Sequence, residues 1–438
     1  MKTEDPPALQ PLNSPRESTR DGAQKVSRNT AWMLGSFLFR LGVQAVYFII
    51  IARALGVEQY GAFTGVVALA ALLAPFASLG TGNLLIKHVA RDPDSFAVRW
   101  GICLRVTLKS GFVLTVVAAA TALLLLPRSI PLSLIVLVCI ADLLAARLLD
   151  VSGQAFQAVG RMGYTASFQV LIGIVRLVGA LALVSFGFLD SAKIWAACYM
   201  VSSAIAASVA IYLVVRRLGA PNFEGRFTEP KEGSYFAISL AAQNAYNDID
   251  KTMLVGLATL GAAGIYGAAY RLIEVAFAPV RALVYATYST FFSRGEDGIE
   301  GSAAYARRLL LPASAYGVVV GSFIYVLAPV VPHILGSSFK EAVPALRWLA
   351  ILPLLKSLHY FGQDALTGAN MQGVRTAIQS AVAIFNVAIN FWLIPAYGWR
   401  GAAWSSIASD GLLAASIWIA IRFMIARPTP VVAEGVRA

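Results

Sequence analysis

Gly233-Ser-Tyr-Phe-Ala-Ile-Ser-Leu-Ala-Ala-Gln-Asn-Ala-Tyr-Asn-Asp248-Ile-Asp250-Lys251-Thr-Met-Leu-Val-Gly256 is long enough to cross a bilayer as one helix. Its first two thirds carry no charge; then Asp248, Asp250 and Lys251 come together. An ionisable residue in a membrane costs roughly 2.5–3.5 kcal/mol on insertion scales, so it faces protein or a wet cavity. Asp250 lies about 25 Å along the helix from Gly233, towards the far face. The two acids point about 200° apart, so one at most faces a cavity beside the helix. This helix opens the second half of the chain, which echoes the first.

Working outward, the whole chain of 438 residues is 58% hydrophobic and only 13% charged, which makes it an all-α polytopic membrane protein. The net charge of +12 would suggest a nucleic-acid binder in a soluble protein. Here basic inner loops explain it, and no nucleic-acid partner is expected. Cys103, Cys139 and Cys198 lie in apolar segments without a Cys-x-x-Cys pattern, and His88, His333 and His359 are far apart. Neither a disulfide framework nor a metal site is indicated. With no Gly-x-x-x-x-Gly-Lys-Ser/Thr loop, no ATP site and no cofactor are expected.

Residues 1–30 are polar, lack a signal peptide's apolar core and read as a disordered cytoplasmic arm. Apolar stretches then recur at 31–52, 58–80, 102–126, 131–152, 164–187 and 191–215. A second set follows at 233–258, 263–291, 307–331, 342–364, 373–396 and 400–426. The division is a six-helix lobe over 31–215, a cytoplasmic linker over 216–232, a second lobe over 233–426 and a tail over 427–438. Basic residues outside the spans divide roughly 19 to 5 between the two faces, which puts both termini in the cytoplasm. No outer loop exceeds about ten residues on this division.

The halves match at a nearly constant offset. Leu55-Gly56 with Tyr60-Gly61 corresponds to Leu260-Gly261 with Tyr266-Gly267, and Ala74-Pro75 to Ala278-Pro279. Gly153-Gln154 corresponds to Gly362-Gln363, Phe168-Gln169 to Ile378-Gln379, and Trp195 to Trp404. Such duplication implies two six-helix pseudo-repeated lobes around a central cavity, one rocking against the other.

Several charges must face something wet. Arg40 and Arg176 sit deepest and have no partner within their own helices. Arg271, Glu274 and Arg281 share one helix face, and Arg271 and Glu274 can pair. Lys356, Asp364 and Asp410 lie in helices ten and twelve. Helix four carries Asp142, Arg147 and Asp150; Arg147 and Asp150 read as a local ion pair, and Arg105 and Lys109 as snorkelling cations. Asn386 occupies the repeat position of Arg176 and, with Asn390, reads as interhelical hydrogen bonding. A cavity with several cations and few unpaired acids suits an anion. The expected cavity cations are Arg40, Arg176, Arg271, Arg281 and Lys356; the ion-coupling candidates are Asp248, Asp250 and Glu274.

Ala52-Arg-Ala-Leu-Gly-Val-Glu-Gln-Tyr-Gly61, Asn247-Asp-Ile-Asp-Lys-Thr-Met-Leu-Val-Gly256 with Gly264-Ile-Tyr-Gly267, and Asn390-Phe-Trp-Leu-Ile-Pro-Ala-Tyr-Gly-Trp-Arg-Gly-Ala-Ala403 carry a resemblance. Together they resemble the Wzx-type polysaccharide-biosynthesis flippases of the MATE-like MOP superfamily, over about residues 30–426. The resemblance implies a multi-pass protein of the bacterial inner membrane, a transporter rather than an enzyme. It implies movement of an undecaprenyl-pyrophosphate-linked oligosaccharide, the repeat unit of an exopolysaccharide or O-antigen, from inner to outer leaflet. Asp250 matches an acidic residue often seen near the end of helix seven in that family. Implied partners are the lipid-linked oligosaccharide, membrane lipid, a polysaccharide polymerase and a chain-length regulator. The alternatives are a MATE-type ion-coupled exporter of small molecules and a membrane glycan polymerase or ligase.

Overall fold

The first helical hairpin turns at Gly56, whose φ of 70° and ψ of 175° are open to glycine and strained for a side chain. In this computed structural model it separates α1 (residues 19–55) from α2 (residues 57–77). The structure describes residues 19–426 except 190 and 297. Side chains are described from residue 41 onward, apart from 125, 232, 235, 236, 239, 240, 242, 243, 245, 246 and 289. A short helix, Thr81–Val89, leads to α3 (Phe96–Leu125), α4 (Leu132–Ala158), α5 (Met162–Ser185) and α6 (Ala192–Leu218). The second lobe holds α7 (Pro230–Leu257), α8 (Leu260–Gly295), α9 (Ile299–Leu327), α10 (residues 342–368), α11 (Gln372–Tyr397) and α12 (Trp399–Ala426).

Length and composition alone qualify 8 stretches as membrane spans. One of these, Leu41–Val89, contains the Gly56 hairpin; α7, α8 and α10 are not among the 8. α7 carries its charges at its two ends and α8 carries Arg271, Glu274 and Arg281 along its length, and α10 is interrupted at Ala350–Ile351, ahead of Pro353. Among the described residues this makes twelve bundle helices in two six-helix lobes. Residues 19–30, expected within an irregular arm, are the first turns of α1; residues 1–18 and the tail 427–438 lie outside the described residues. The connection 328–341 is longer than the ten residues expected, and it is built of short helical turns including Val331–Leu335.

In both lobes the repeated glutamine bonds to the preceding helix, though to different positions of it. Gln169 Nε2 donates to Asp150 Oδ1 at 3.1 Å, and its repeat mate Gln379 donates to Gln363 Oε1 at 2.9 Å. The second hairpin turns before its repeat glycine, Gly261: the break falls at Ala258–Thr259, where the Thr259 hydroxyl accepts from Ala262 N–H at 3.0 Å. Gly261 therefore lies inside α8.

The bundle's two ends differ. At the end away from the linker, one continuous apolar core runs through both lobes, from Phe48, Tyr60 and Phe63 to Tyr266, Phe339 and Ile394. Backbones touch there. A Cβ on Gly61 would lie 1.9 Å from the Leu260 carbonyl oxygen, and one on Gly264 would lie 1.9 Å from that of Val57. Arg53 Nη1 crosses to the carbonyls of His333 and Ile334 at 3.2 and 3.1 Å. At the linker end the lobes have separate cores, Trp100, Phe156 and Phe168 in one, Phe277, Phe291 and Phe361 in the other. There α7 stays against the first lobe, with Gly233 on Leu79 and Gly80, and Asn244 Nδ2 donating to the Ala71 carbonyl at 2.8 Å. The two lobes thus splay towards the linker end. Large side chains such as Phe112, Leu124, Leu311 and Trp392 point outward, as lipid requires.

The linker is strapped to the first lobe. Arg105 donates to the Phe223 carbonyl at 2.7 Å and to that of Gly225, and Asn222 N–H bonds to Ala97 O at 2.8 Å. Arg105 was expected to snorkel; it holds the linker instead. Glu229 Oε2 lies 2.7 Å from His88 Nε2 and 3.8 Å from Arg99 Nη1. The hydrogen bond with His88, then the positive charge beside it, hold the Glu229 carboxyl below its ordinary range.

Candidate substrate cavity

Where the lobes splay, three neighbouring chambers share walls. The central one, of about 300 Å³, is lined by Tyr47, Phe63, Thr64, Arg176, Tyr199, Asp248, Lys251, Arg271 and Glu274. A second, of about 240 Å³, shares Arg176 and Arg271 and reaches into the first lobe to Asp142, Arg147, Asp150 and Gln169. The third, of about 510 Å³, shares Asp248 and Glu274 and reaches into the second lobe. Its walls include Tyr270, Phe277, Arg281, Tyr285, Tyr288, Lys356, Asp364 and Arg375.

Helix periodicity explains why α8 supplies so much of this wall. Its residues 270, 274, 277, 281, 284 and 288 recur every three or four positions and so form one stripe, which lines the third chamber and reaches the central one at Glu274; Arg271 beside it serves the first two. On α7 the same geometry turns Asp248 and Lys251 into the cavity and sends Asp250 the other way. Asp250 is 3% exposed and accepts hydrogen bonds from Tyr266 and from Ser406 Oγ at 3.2 Å. It ties α7 to α8 and α12 behind the cavity.

Electrostatic pairing is more complete than the sequence implies. Lys251 Nζ lies 2.5 Å from Asp248 Oδ1, and Arg271 Nη1 2.9 Å from Glu274 Oε2. Arg147 Nη2 lies 2.7 Å from Asp150 Oδ2, the local pair expected. Arg375 Nη1 is 3.7 Å from Asp364 Oδ1 and donates to Thr367 Oγ1 at 2.6 Å. Lys356 Nζ is 3.6 Å from Asp410 Oδ2 and donates to the Tyr270 hydroxyl at 3.0 Å; His359 Nε2 lies 3.2 Å from the same carboxylate. Arg176, read as lacking a partner within its own helix, has one in another: Nη2 is 3.9 Å from Asp142 Oδ1 and donates to Ser203 Oγ at 2.9 Å. Its guanidinium carbon lies 3.8 Å above the Tyr199 ring.

The acids in the walls are all paired, in keeping with the few unpaired acids expected, and most of the cations are paired as well. The described walls carry seven basic side chains (Arg147, Arg176, Lys251, Arg271, Arg281, Lys356, Arg375) against five acidic ones (Asp142, Asp150, Asp248, Glu274, Asp364). The surplus is positive but modest. Among the described residues, Arg281 is the wall cation with no carboxylate in ion-pair reach; its guanidinium sits 6.0 Å from the Phe277 ring. The side chain of Arg40 lies outside the described residues. Asp142 was among the charges read as facing something wet, and Lys251 belonged to the charged cluster of helix seven, though neither was named as a site residue; sequence reasoning missed Tyr199 and Tyr270 as wall residues, for which tyrosines inside otherwise apolar spans were the available signal.

With this geometry in view, a family model described as "Polysaccharide biosynthesis protein" matches residues 26–291. The chain belongs to the polysaccharide biosynthesis protein family. Solved structures share its fold at low identity. An inward-facing multidrug resistance MATE family transporter of the MOP superfamily is 16% identical, over 88% of this chain and 94% of that one, with a TM-score of 0.72. The lipid II flippase MurJ, in an inward closed conformation, is 10% identical over 88% and 86%, with a TM-score of 0.70. A MOP superfamily transporter from Pyrococcus furiosus, described by the reverse polarity of its binding pocket, is 17% identical over 89% and 94%, with a TM-score of 0.63. No curated protein matches in sequence. The chain is thus a two-lobed, multi-pass member of the polysaccharide biosynthesis family with the MOP transporter fold.

Proposed function

We propose that this protein flips an undecaprenyl-pyrophosphate-linked oligosaccharide from the inner to the outer leaflet of the bacterial cytoplasmic membrane by alternating access. The observation that carries the proposal is the interlobe cavity: a surplus of basic side chains, with the Arg281 guanidinium uncommitted, in the walls of a chain of this family. Guanidinium groups match phosphate oxygens in pairs, and a buried cation without a carboxylate is costly unless an anion arrives. Arg176, Arg271, Arg281 and Lys356 would bind the pyrophosphate and glycan, with Arg40 as a further cation from α1. Asp248 and Glu274, already paired with Lys251 and Arg271, would serve as the coupling acids, and Asp250 would couple through the helix contacts behind them. Both termini and the linker face the cytoplasm on this reading, so the splayed lobes open to the donor leaflet. A polymerase and a chain-length regulator would receive the product.

No ATP motif is present, so the driving force is the membrane potential, ion exchange or the substrate gradient. Two negative charges leaving a negative cytoplasm gain roughly 4–5 kcal/mol at 100 mV, from ~2.3 kcal/mol per charge. The five wall carboxylates give the second reading, an ion-coupled exporter of small cations, its one support. A deletion strain separates the two. The flippase reading expects lipid-linked oligosaccharide to accumulate on the cytoplasmic leaflet; normal polysaccharide output with new sensitivity to cationic dyes would favour the exporter.

A further inference from the structure

We propose that Asp142 is a proton-accepting counter-ion of Arg176. An anion that engages Arg176 displaces Asp142, which then takes a proton from the linker end of the bundle. This goes beyond the flippase reading but rests on its anionic substrate.

Asp142 lies in a π-helical turn, Ile140–Ala145, inside α4. Such widened turns are rare and are frequent at functional sites. The turn is wrapped by α3, α6 and α1. Asp142 Oδ1 accepts a hydrogen bond from the Tyr199 hydroxyl at 2.8 Å, while Arg176 stands off at 3.9 Å, beyond hydrogen-bond distance. Arg176 spends one donor on Ser203 and rests on the Tyr199 ring; its buried Nε has no hydrogen-bond partner. The guanidinium is therefore positioned by stacking and keeps donors unfilled. A phosphate or other oxyanion entering the central chamber offers a closer and stronger partner than a carboxylate held at this distance.

The elements packed around Asp142 hold no uncommitted cation to replace Arg176 among the described residues. On α4 itself, Arg147 is committed to Asp150 at 2.7 Å. From α6 come Tyr199 and Cys198, from α1 Tyr47, and from α5 Gln169, none of them cationic. From α8 comes Arg271, which holds Glu274. Helix α3 meets this turn through Gly111, and no titratable side chain of α3 is recorded against Asp142 among the described residues. Once Arg176 turns to an anion, the carboxylate is left in a membrane lobe with one phenol. A proton relieves that cost.

The structure supplies a route. Asp142, Arg147 and Asp150 share the 240 Å³ chamber. A further chamber of about 250 Å³ also has Arg147 and Asp150 in its wall and reaches Asn83, Gln154 and Gln157 near the linker end. Protons enter and leave by that one end, so none crosses the membrane in this step. Ligand affinity is thereby tied to the pH on the linker side.

The test uses the full-length protein in detergent and a short-chain prenyl pyrophosphoryl N-acetylglucosamine. Its phosphates are diesters and do not titrate between about pH 6 and 8. In weak buffer with a pH dye, the wild type should take up about one proton at Asp142 per bound probe, and its Kd should rise by up to ~tenfold per pH unit. Asp142→Asn should bind the probe, take up one proton fewer and show a flatter pH profile. Tyr199→Phe keeps the ring under Arg176 but removes the phenol donor, and should move the midpoint of uptake to higher pH; it carries the test if Asp142→Asn does not fold. Binding without proton uptake, or unchanged uptake in Asp142→Asn, overturns this inference and leaves the flippase reading standing. No binding of the probe by the wild type overturns both.

Discussion

Arg176 and Asn386 occupy the same place in the two repeats, and each donates its side-chain nitrogen, at 2.9 Å, to a serine of its lobe's last helix, Ser203 and Ser409. There the likeness ends. Arg176 lines two chambers and stacks on Tyr199. Asn386 is buried in a closed chain, accepting from Asn390, whose own oxygen accepts from Ser405 at 2.5 Å. Duplication kept the helix-to-helix hydrogen bond on both sides and kept a charge at this position only in the lobe where it lines a chamber. The second lobe carries its free charge elsewhere, at Arg281 on α8, one chamber nearer the linker end.

The comparison can be broken first at the end where the lobes fuse. Gly61→Val should push α2 off the Leu260 carbonyl and prevent closure, costing more than tenfold in export; Gly261→Val, inside α8 with only the Thr259 side chain near, should keep most of it. Export of surface polysaccharide in a complemented deletion strain measures both. Equal loss in the two variants would contradict the assignment of Gly61 as the closure point.

The next comparison is between the repeat mates themselves. Arg176→Gln should lower transport at least tenfold with little change in melting temperature, because a charged hydrogen bond to phosphate is worth about 1.5–3 kcal/mol. Asn386→Ala should do the reverse: transport within about threefold, and stability lower by about 1 kcal/mol, as for other buried interhelical hydrogen bonds. Thermal unfolding in detergent beside the export assay separates them.

How much of this was readable beforehand follows the range of each interaction. Apolar stretches of about twenty residues and their repeat are local patterns, so the helices and lobes could be read directly. The pairs Arg147–Asp150 and Arg271–Glu274 were equally legible, being three residues apart on one helix. So was the split of Asp248 from Asp250, because helix geometry alone separates them. Asp142 with Arg176 and Asp410 with Lys356 are different: each pair spans two helices, and spacing within one helix carries no information about it. The π-turn that presents Asp142 has no sequence signature either. Those long-range pairs, added to the local ones, leave a mostly balanced cavity.

The smallest effect lies in the linker strap. Glu229's carboxyl is held below its ordinary range, so the ionised form is favoured by the folded contact with His88 and Arg99. Its contribution is fully present above the ordinary glutamate range and is lost as pH falls through the lowered titration. Amide exchange of the linker between Gly219 and Glu229 should quicken as pH falls through that window, after correction for intrinsic rates. In Glu229→Gln the same step should be absent. A persistent step would assign it to another group.

The account rests most directly on whether the cavity moves a pyrophosphate-linked lipid. The measurement is flipping of a fluorescent undecaprenyl-pyrophosphate-linked saccharide in liposomes holding the purified protein, with a set potassium-diffusion potential. The expected result is movement without ATP, faster when the donor side is negative, and reduced at least tenfold by Arg176→Gln and by Arg281→Gln. No movement of the lipid, or movement that ignores potential and proton gradient and requires added ATP, would contradict it.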